Sequence, residues 1–178
     1  MREVVTASAL VLCLAAVAGA QERPRADLFA GYSLVRSEGE SLHGGEVALA
    51  WHVSDHLSVV LDLDAHGRTI EGVDHTTSGV LAGPRLGFRA GGITPFVHAL
   101  LGVVRDEDSV TVFTQTISER HTGAGGALGG GLDFGSRRLG GRVQADYRLW
   151  RRGTDGGGTE THGDPRISAG AVFRFGAR

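Results

Sequence analysis

The chain of 178 residues carries 18 basic and 20 acidic side chains, and its net charge of −2 offers no electrostatic footprint for nucleic acid. Its 29 glycines show no three-residue period, which excludes a collagen-like rod, and the one cysteine excludes a disulfide scaffold. Every basic residue other than histidine is arginine, the cation that pairs bidentately with carboxylates and phosphates.

The first residues read as an export signal. Met1-Arg2-Glu3 precedes an apolar run from Val4 to Val17, too short to cross a bilayer as a helix. Ala18-Gly19-Ala20 offers small residues to a signal peptidase, so cleavage is expected before Gln21, leaving residues 21–178 as one domain. Cys13 falls within the signal, and Leu12 before it is too large for a lipoprotein cleavage site. The exported chain is thus expected to have no thiol for catalysis, cross-linking or metal binding.

Eight strand-like runs follow: 27–36, 46–53, 57–66, 78–89, 94–105, 123–134, 142–149 and 166–175. In the first, Leu28, Ala30, Tyr32 and Leu34 share one parity. In the second, Val47, Leu49, Trp51 and Val53 alternate with Glu46, Ala48, Ala50 and His52. The third sets Leu57, Val59, Leu61 and Leu63 against Asp62 and Asp64, and the fourth sets Val80, Ala82, Leu86 and Phe88 against Arg85 and Arg89. The fifth is apolar on both parities, and the sixth is nearly all glycine and alanine, phased by Leu128, Leu132 and Asp133. The seventh is the clearest. Arg142, Gln144, Asp146 and Arg148 alternate strictly with Val143, Ala145, Tyr147 and Leu149, as only a two-faced strand requires. The eighth sets Ile167, Ala169, Ala171, Phe173 and Phe175 against Arg166, Ser168, Gly170 and Arg174. Pro84 interrupts the fourth strand, where a bulge is expected.

The connections alternate in length. Those after the second, fourth and sixth strands are short. Residues 37–43, 67–77, 106–122 and 151–165 make longer polar segments, expected to be loops at the opposite end. This alternation predicts a closed, antiparallel, up-and-down transmembrane barrel with short periplasmic turns and long extracellular loops. Its apolar face would meet lipid, because eight strands leave too narrow an interior for that many large residues. Trp51, Phe88, Phe134, Tyr147, Trp150 and Phe175 lie towards strand ends, where aromatic girdles belong. The polar face would then form a salt-bridged lumen from Glu46, Asp62, Asp64, Arg85, Arg89, Asp133, Arg142, Asp146 and Arg174, since buried charges must pair. Strand seven's polar row is expected to reach Glu46, Asp62 or Asp133. The alternative is a soluble exported sheet with its charges in water.

Several segments carry a resemblance. Leu81-Ala82-Gly83-Pro84-Arg85 with Phe88, the run 94–102 (TPFVHALLG), 129–133 (GGGLD) and 142–147 (RVQADY) are similar to the small outer-membrane β-barrel proteins of Gram-negative bacteria, related to the membrane domain of OmpA and to opacity-type proteins. The likeness covers essentially the whole mature chain. Ser168, Gly170, Phe173 and Phe175 also resemble the assembly signal read by the barrel-assembly machinery, with the departure that Gly176-Ala177-Arg178 follow the last aromatic.

The resemblance implies a non-enzymatic outer-membrane protein that supports envelope integrity or presents loops for adhesion and recognition of an extracellular ligand or host surface, without a cofactor. Outer-membrane lipid and lipopolysaccharide are its expected surroundings, with Arg68, Arg105, Arg120, Arg151 and Arg152 candidates to meet lipopolysaccharide phosphates. Three other readings stay open. A narrow gated pore or small-solute transporter would show single-channel conductance. A lipid-A-modifying enzyme would need a rim site such as His75 with Ser78. The third is the soluble exported barrel. His43, His75, His121 and His162 lack the tight spacing of a metal site, and the glycine run 123–131 lacks the Gly-Lys-Ser/Thr ending of a phosphate loop.

Overall fold

The computed structural model describes residues 25–176 apart from 38, 71–72, 91, 113–114, 137 and 154–158; the expected signal, residues 1–20, lies outside the described residues. The chain folds into eight strands: β1 (Ala26–Ser37), β2 (Glu40–His52), β3 (Leu57–Ile70), β4 (Val73–Gly87), β5 (Ile93–Val112), β6 (Gln115–Gly135), β7 (Leu139–Gly153) and β8 (Thr159–Phe175). Each pairs antiparallel with its neighbours in sequence. β1 also pairs with β8, from Ala26↔Phe175 to Val35↔Arg166, so the barrel closes with no free edge along that seam.

The parity read from the sequence is the parity of the wall. Arg166 is 0% exposed and Arg148 1%, whereas Leu101 is 76% and Leu128 68% exposed. A water-soluble protein of this size would invert those values. Val47, Leu49, Trp51, Leu61, Leu63, Val143, Tyr147 and Leu149 all stand outward, and this inside-out arrangement is that of a barrel dissolved in lipid. In hydrocarbon every backbone N–H and C=O must find a partner within the wall, which a closed ladder provides.

The lumen is filled rather than open. Besides charges it holds Phe29, Leu81, Phe96, Leu100, Val104 and Val172, all nearly fully buried. Trp150 is also inside, 6% exposed, and so does not join the outer aromatic girdle. Its even number gives it the parity of Arg142 and Arg148. Its indole Nε1 donates to Asp164 Oδ2 at 3.2 Å and its ring stacks on His162 at 4.9 Å. Trp51, Phe88, Phe134, Tyr147 and Phe175 remain exposed on the lipid side.

The strands are longer than the sequence pattern suggests. The expected loops 67–77, 106–122 and 151–165 are mostly strand. Pairing runs out to Ile70↔Val73, Val112↔Gln115 and Gly153↔Thr159, so the long connections are hairpins that continue the wall. Apolar alternation ends where lipid ends, but backbone pairing has no reason to stop there. At the first hairpin Ser37 pairs with Glu40, and Gly39 takes the positive φ of 87° that this tight turn requires.

Pro84 produces no bulge. The β4–β5 ladder omits Gly83 and Pro84 and resumes in the same register, with Ala82↔Leu101 on one side and Arg85↔His98 on the other. Proline simply has no N–H to give β5, and its partner on β3, Val59, is retained.

Inward glycines make room for acids. A Cβ on Gly129 would collide with Asp146 Oδ1 and stand 2.7 Å from the Asp146 Cα, so both side chain and backbone of β7 would have to move. We expect Gly129→Val to lower unfolding stability by about 1–3 kcal/mol in urea titrations of the folded barrel. The same change at the outward, exposed Ala169 should be close to neutral.

Candidate functional site

Charges in the lumen form two clusters. The larger centres on Arg166 of β8. Its Nη1 and Nη2 each donate to one oxygen of Asp62 at 3.1 Å. Nη1 also donates to Asp64 Oδ2 at 3.0 Å, while Nε and Nη2 donate to Asp146 Oδ2 at 3.0 and 2.9 Å. Glu46 Oε2 lies 3.7 Å from Nη1. One guanidinium thus ties together β2, β3, β7 and β8. Arg148 adds a second contact to Asp64 at 3.2 Å, and two imidazoles complete the set: His66 Nδ1 at 3.3 Å from Asp64 and His98 Nε2 at 2.7 Å from Asp146.

Neutral polar groups donate to Glu46 and Asp146. Gln144 Nε2 donates to Glu46 Oε1 at 2.7 Å and to Asp146 Oδ2 at 3.2 Å. Ser168 Oγ donates to Glu46 Oε2 at 2.5 Å and meets Ser33 Oγ at 2.8 Å. The network is therefore continuous across the barrel.

The second cluster lies nearer the short turns. Arg142 grips Asp133 in fork geometry, Nε to Oδ1 at 2.7 Å and Nη2 to Oδ2 at 3.0 Å. Arg85 Nη2 donates to the same Asp133 Oδ2 at 2.5 Å. Two cations share one carboxylate, and the excess positive charge faces aromatic rings. Arg85 sits 3.7 Å from the Phe96 centroid, with Arg142 4.9 Å from Phe96 and 5.0 Å from Phe29. Asp27 and His52, 3.0 Å apart, close that end.

Of the residues singled out from the sequence, Glu46, Asp62, Asp64, Arg85, Asp133, Arg142 and Asp146 are buried together in this lumen. Arg89 is not, because β4 ends at Gly87 and Arg89 is exposed beyond it. Arg174 is half-buried near the end of β8 and donates to the Ser136 carbonyl instead of to an acid. The sequence reading placed Arg166 on the polar parity of strand eight but did not include it in the network. With β8 beginning at Thr159, Arg166 falls well inside the wall. Of the four residues compared with the assembly signal, Ser168 bonds inside the lumen and Gly170 packs on Gly31 of β1. Phe173 and Phe175 face outward.

His75 and Ser78 lie three residues apart on β4 and so on opposite faces, which denies that pair a shared site. Among the described residues no three histidines or acids are arranged to hold a metal ion. At the outer rim Arg68 pairs with Glu40, while Arg120 and Arg105 share Glu107 at 2.9 and 4.0 Å.

This closed eight-stranded wall with charges inside and apolar side chains outside defines an outer-membrane-type β-barrel. No protein-family model and no curated protein sequence matches the chain. Solved structures do. Ail, the attachment invasion locus protein of Yersinia pestis, superposes with a TM-score of 0.60 at 21% identity, over 86% of this chain and 99% of that one. The same protein in complex with the heparin analogue sucrose octasulfate gives 0.57 at 20%, over 83% and 97%. Neisserial surface protein A gives 0.57 at 17%, over 84% and 96%. The chain has the fold of the small outer-membrane barrels of Gram-negative bacteria across nearly their whole length.

Removing Arg166 strands several buried carboxylates at once, a loss that costs about 3–5 kcal/mol even for a single broken pair. Arg166→Ala should therefore fold poorly or unfold at markedly lower urea concentration. Arg89→Ala, outside the network, should match the unsubstituted protein in the same titration.

Proposed function

We propose that this protein is a non-enzymatic, non-conducting outer-membrane barrel that holds four β-hairpins in the external medium for adhesion or recognition, or to support the envelope. The observation that carries the reading is the pairing of a sealed lumen with extended hairpins. Arg166 of β8 reaches Asp62 and Asp64 of β3 across the barrel, so the lumen offers little to a solute. The hairpins, by contrast, continue the hydrogen-bonded ladder beyond the apolar belt and so present a stiff surface. The mixed charge of that rim, Arg68 with Glu40 and two arginines around Glu107, suits polar or sulfated surfaces more than apolar ones. Ail bound to a heparin analogue is a precedent within the same fold.

The short-turn end faces the periplasm in this reading, with the expected signal peptide directing export. Ser168, Gly170, Phe173 and Phe175 act before folding is complete, as the recognition strand for the assembly machinery. Their later roles in the finished wall, hydrogen bonding, close packing and lipid contact, are compatible with that use.

Two measurements test the reading. Purified protein in planar bilayers should show no single-channel steps; regular conductance would favour the narrow-pore alternative. Cells expressing the protein should bind immobilised heparin or cultured-cell monolayers, and replacing 106–122 with a two-residue turn should reduce binding while heat-sensitive gel migration persists. Binding that survives removal of each outer hairpin in turn would contradict it.

A further inference from the structure

The lipid-facing wall is not uniformly convex. A groove of about 640 Å³ runs across β5, β6 and β7 between Pro84 at one end and Arg151 and Thr161 at the other. It exists because β6 presents only small outward residues there. Ala124 and Gly126 form its floor with Ala99 of β5, while Leu101 and Leu128 stand beside it as the two most exposed apolar side chains among the described residues. The ladder explains the relief: Leu101 pairs with Gly126 and Ala99 with Leu128, so each tall residue faces a short one. Tyr147 bounds the far side, its phenol lying against Gly163 and directed to the outer end.

Cations stand directly beyond that outer end. Along the outward row of β5 and β6 the pairs run Leu101↔Gly126, Val103↔Ala124, Arg105↔Thr122, Glu107↔Arg120. Arg105 is therefore two pairs above the groove floor at Gly126, and Arg151, exposed and paired with Thr161, borders the groove itself. Arg105 and Arg120 both pair with Glu107. An apolar trough thus leads straight into a cluster of guanidinium groups, at the level where the hydrocarbon gives way to headgroups.

We infer that this groove holds one acyl chain of lipid A, the phosphorylated, multiply acylated glycolipid of the outer leaflet, with a phosphate on Arg105 and Arg151. Apolar contact alone gives no selectivity in a bilayer, because any lipid tail covers any apolar wall. Selection comes from fitting a chain into a trough while a bidentate guanidinium takes the phosphate. The inference rests on the reading that the hairpin end faces outward.

Native mass spectrometry of the full barrel, extracted from outer membranes in mild detergent, tests it. The unsubstituted protein should retain one lipid A. Ala124→Phe, which fills the floor, and the Arg105→Ala/Arg151→Ala double variant should each reduce the retained fraction about tenfold, the equivalent of roughly 1.4 kcal/mol. Ala169→Phe, outward but away from the groove, should retain the lipid. Should Ala124→Phe fail to show heat-sensitive migration, Ala99→Phe fills the same floor from β5. Equal retention in all variants overturns the proposal, as does a barrel that carries phospholipid instead, or a dimer without lipid. Loss of adhesion or appearance of conductance with lipid A still retained would count against the functional reading alone.

Discussion

Arg166 has no water to turn to. It is wholly buried in the lumen, and its N–H groups donate to carboxylates of β3 and β7, with Glu46 of β2 3.7 Å away. Burying four acids and a guanidinium is costly in itself; the fold offsets the cost because Asp62, Asp64 and Asp146 each accept hydrogen bonds from that guanidinium. Much else follows from that requirement. The inward glycines of β4 and β6 leave space for Asp64 and Asp146. Gln144 and Ser168 occupy acceptor positions that arginine does not reach. The second cluster places two arginines on Asp133 and relieves the excess charge on Phe96.

The fold was legible because lipid enforces strict alternation. Val143, Tyr147 and Leu149 against Arg142, Gln144 and Asp146 fixed the phase of β7, and the many large apolar residues, too bulky for the interior of eight strands, decided which face was outside. Boundaries were not legible. Beyond the bilayer nothing requires the outward residues to be apolar, so period two disappears from 106–122 although pairing continues to Val112↔Gln115. Arg166, drawn at the first position of strand eight, lies near the middle of β8. Trp150 shows the opposite failure: its parity with Arg148 already placed it inside, but its position near a strand end suggested a girdle. At Pro84 a missing donor was expected to shift the register, whereas the wall simply omits two pairs.

The site residues follow the same logic. Partners across the barrel, such as Arg166 with Asp62 or Gln144 with Glu46, are 104 and 98 residues apart in sequence. Composition and parity can say that these side chains share a lumen, but only the stagger of the strands says which meet. The outer groove is equally invisible in the sequence, where Gly126 and Ala124 look like filler within a glycine run. It arises from the registry that sets Leu101 opposite Gly126. The wall thus carries a paired interior, an apolar outer face with a groove across β5, β6 and β7, and hairpins that continue it beyond the apolar belt.

The central claim is that the charged parity faces inward and the apolar parity faces lipid. The two tryptophans of the chain sit on opposite sides of the wall, Trp51 58% exposed and Trp150 6%. Fluorescence quenching by brominated lipid chains reads that difference directly in single-tryptophan variants, Trp150→Phe and Trp51→Phe. Strong quenching of Trp51 with little quenching of Trp150 is the expected result; equal quenching, or quenching of Trp150 alone, would contradict the inside-out barrel.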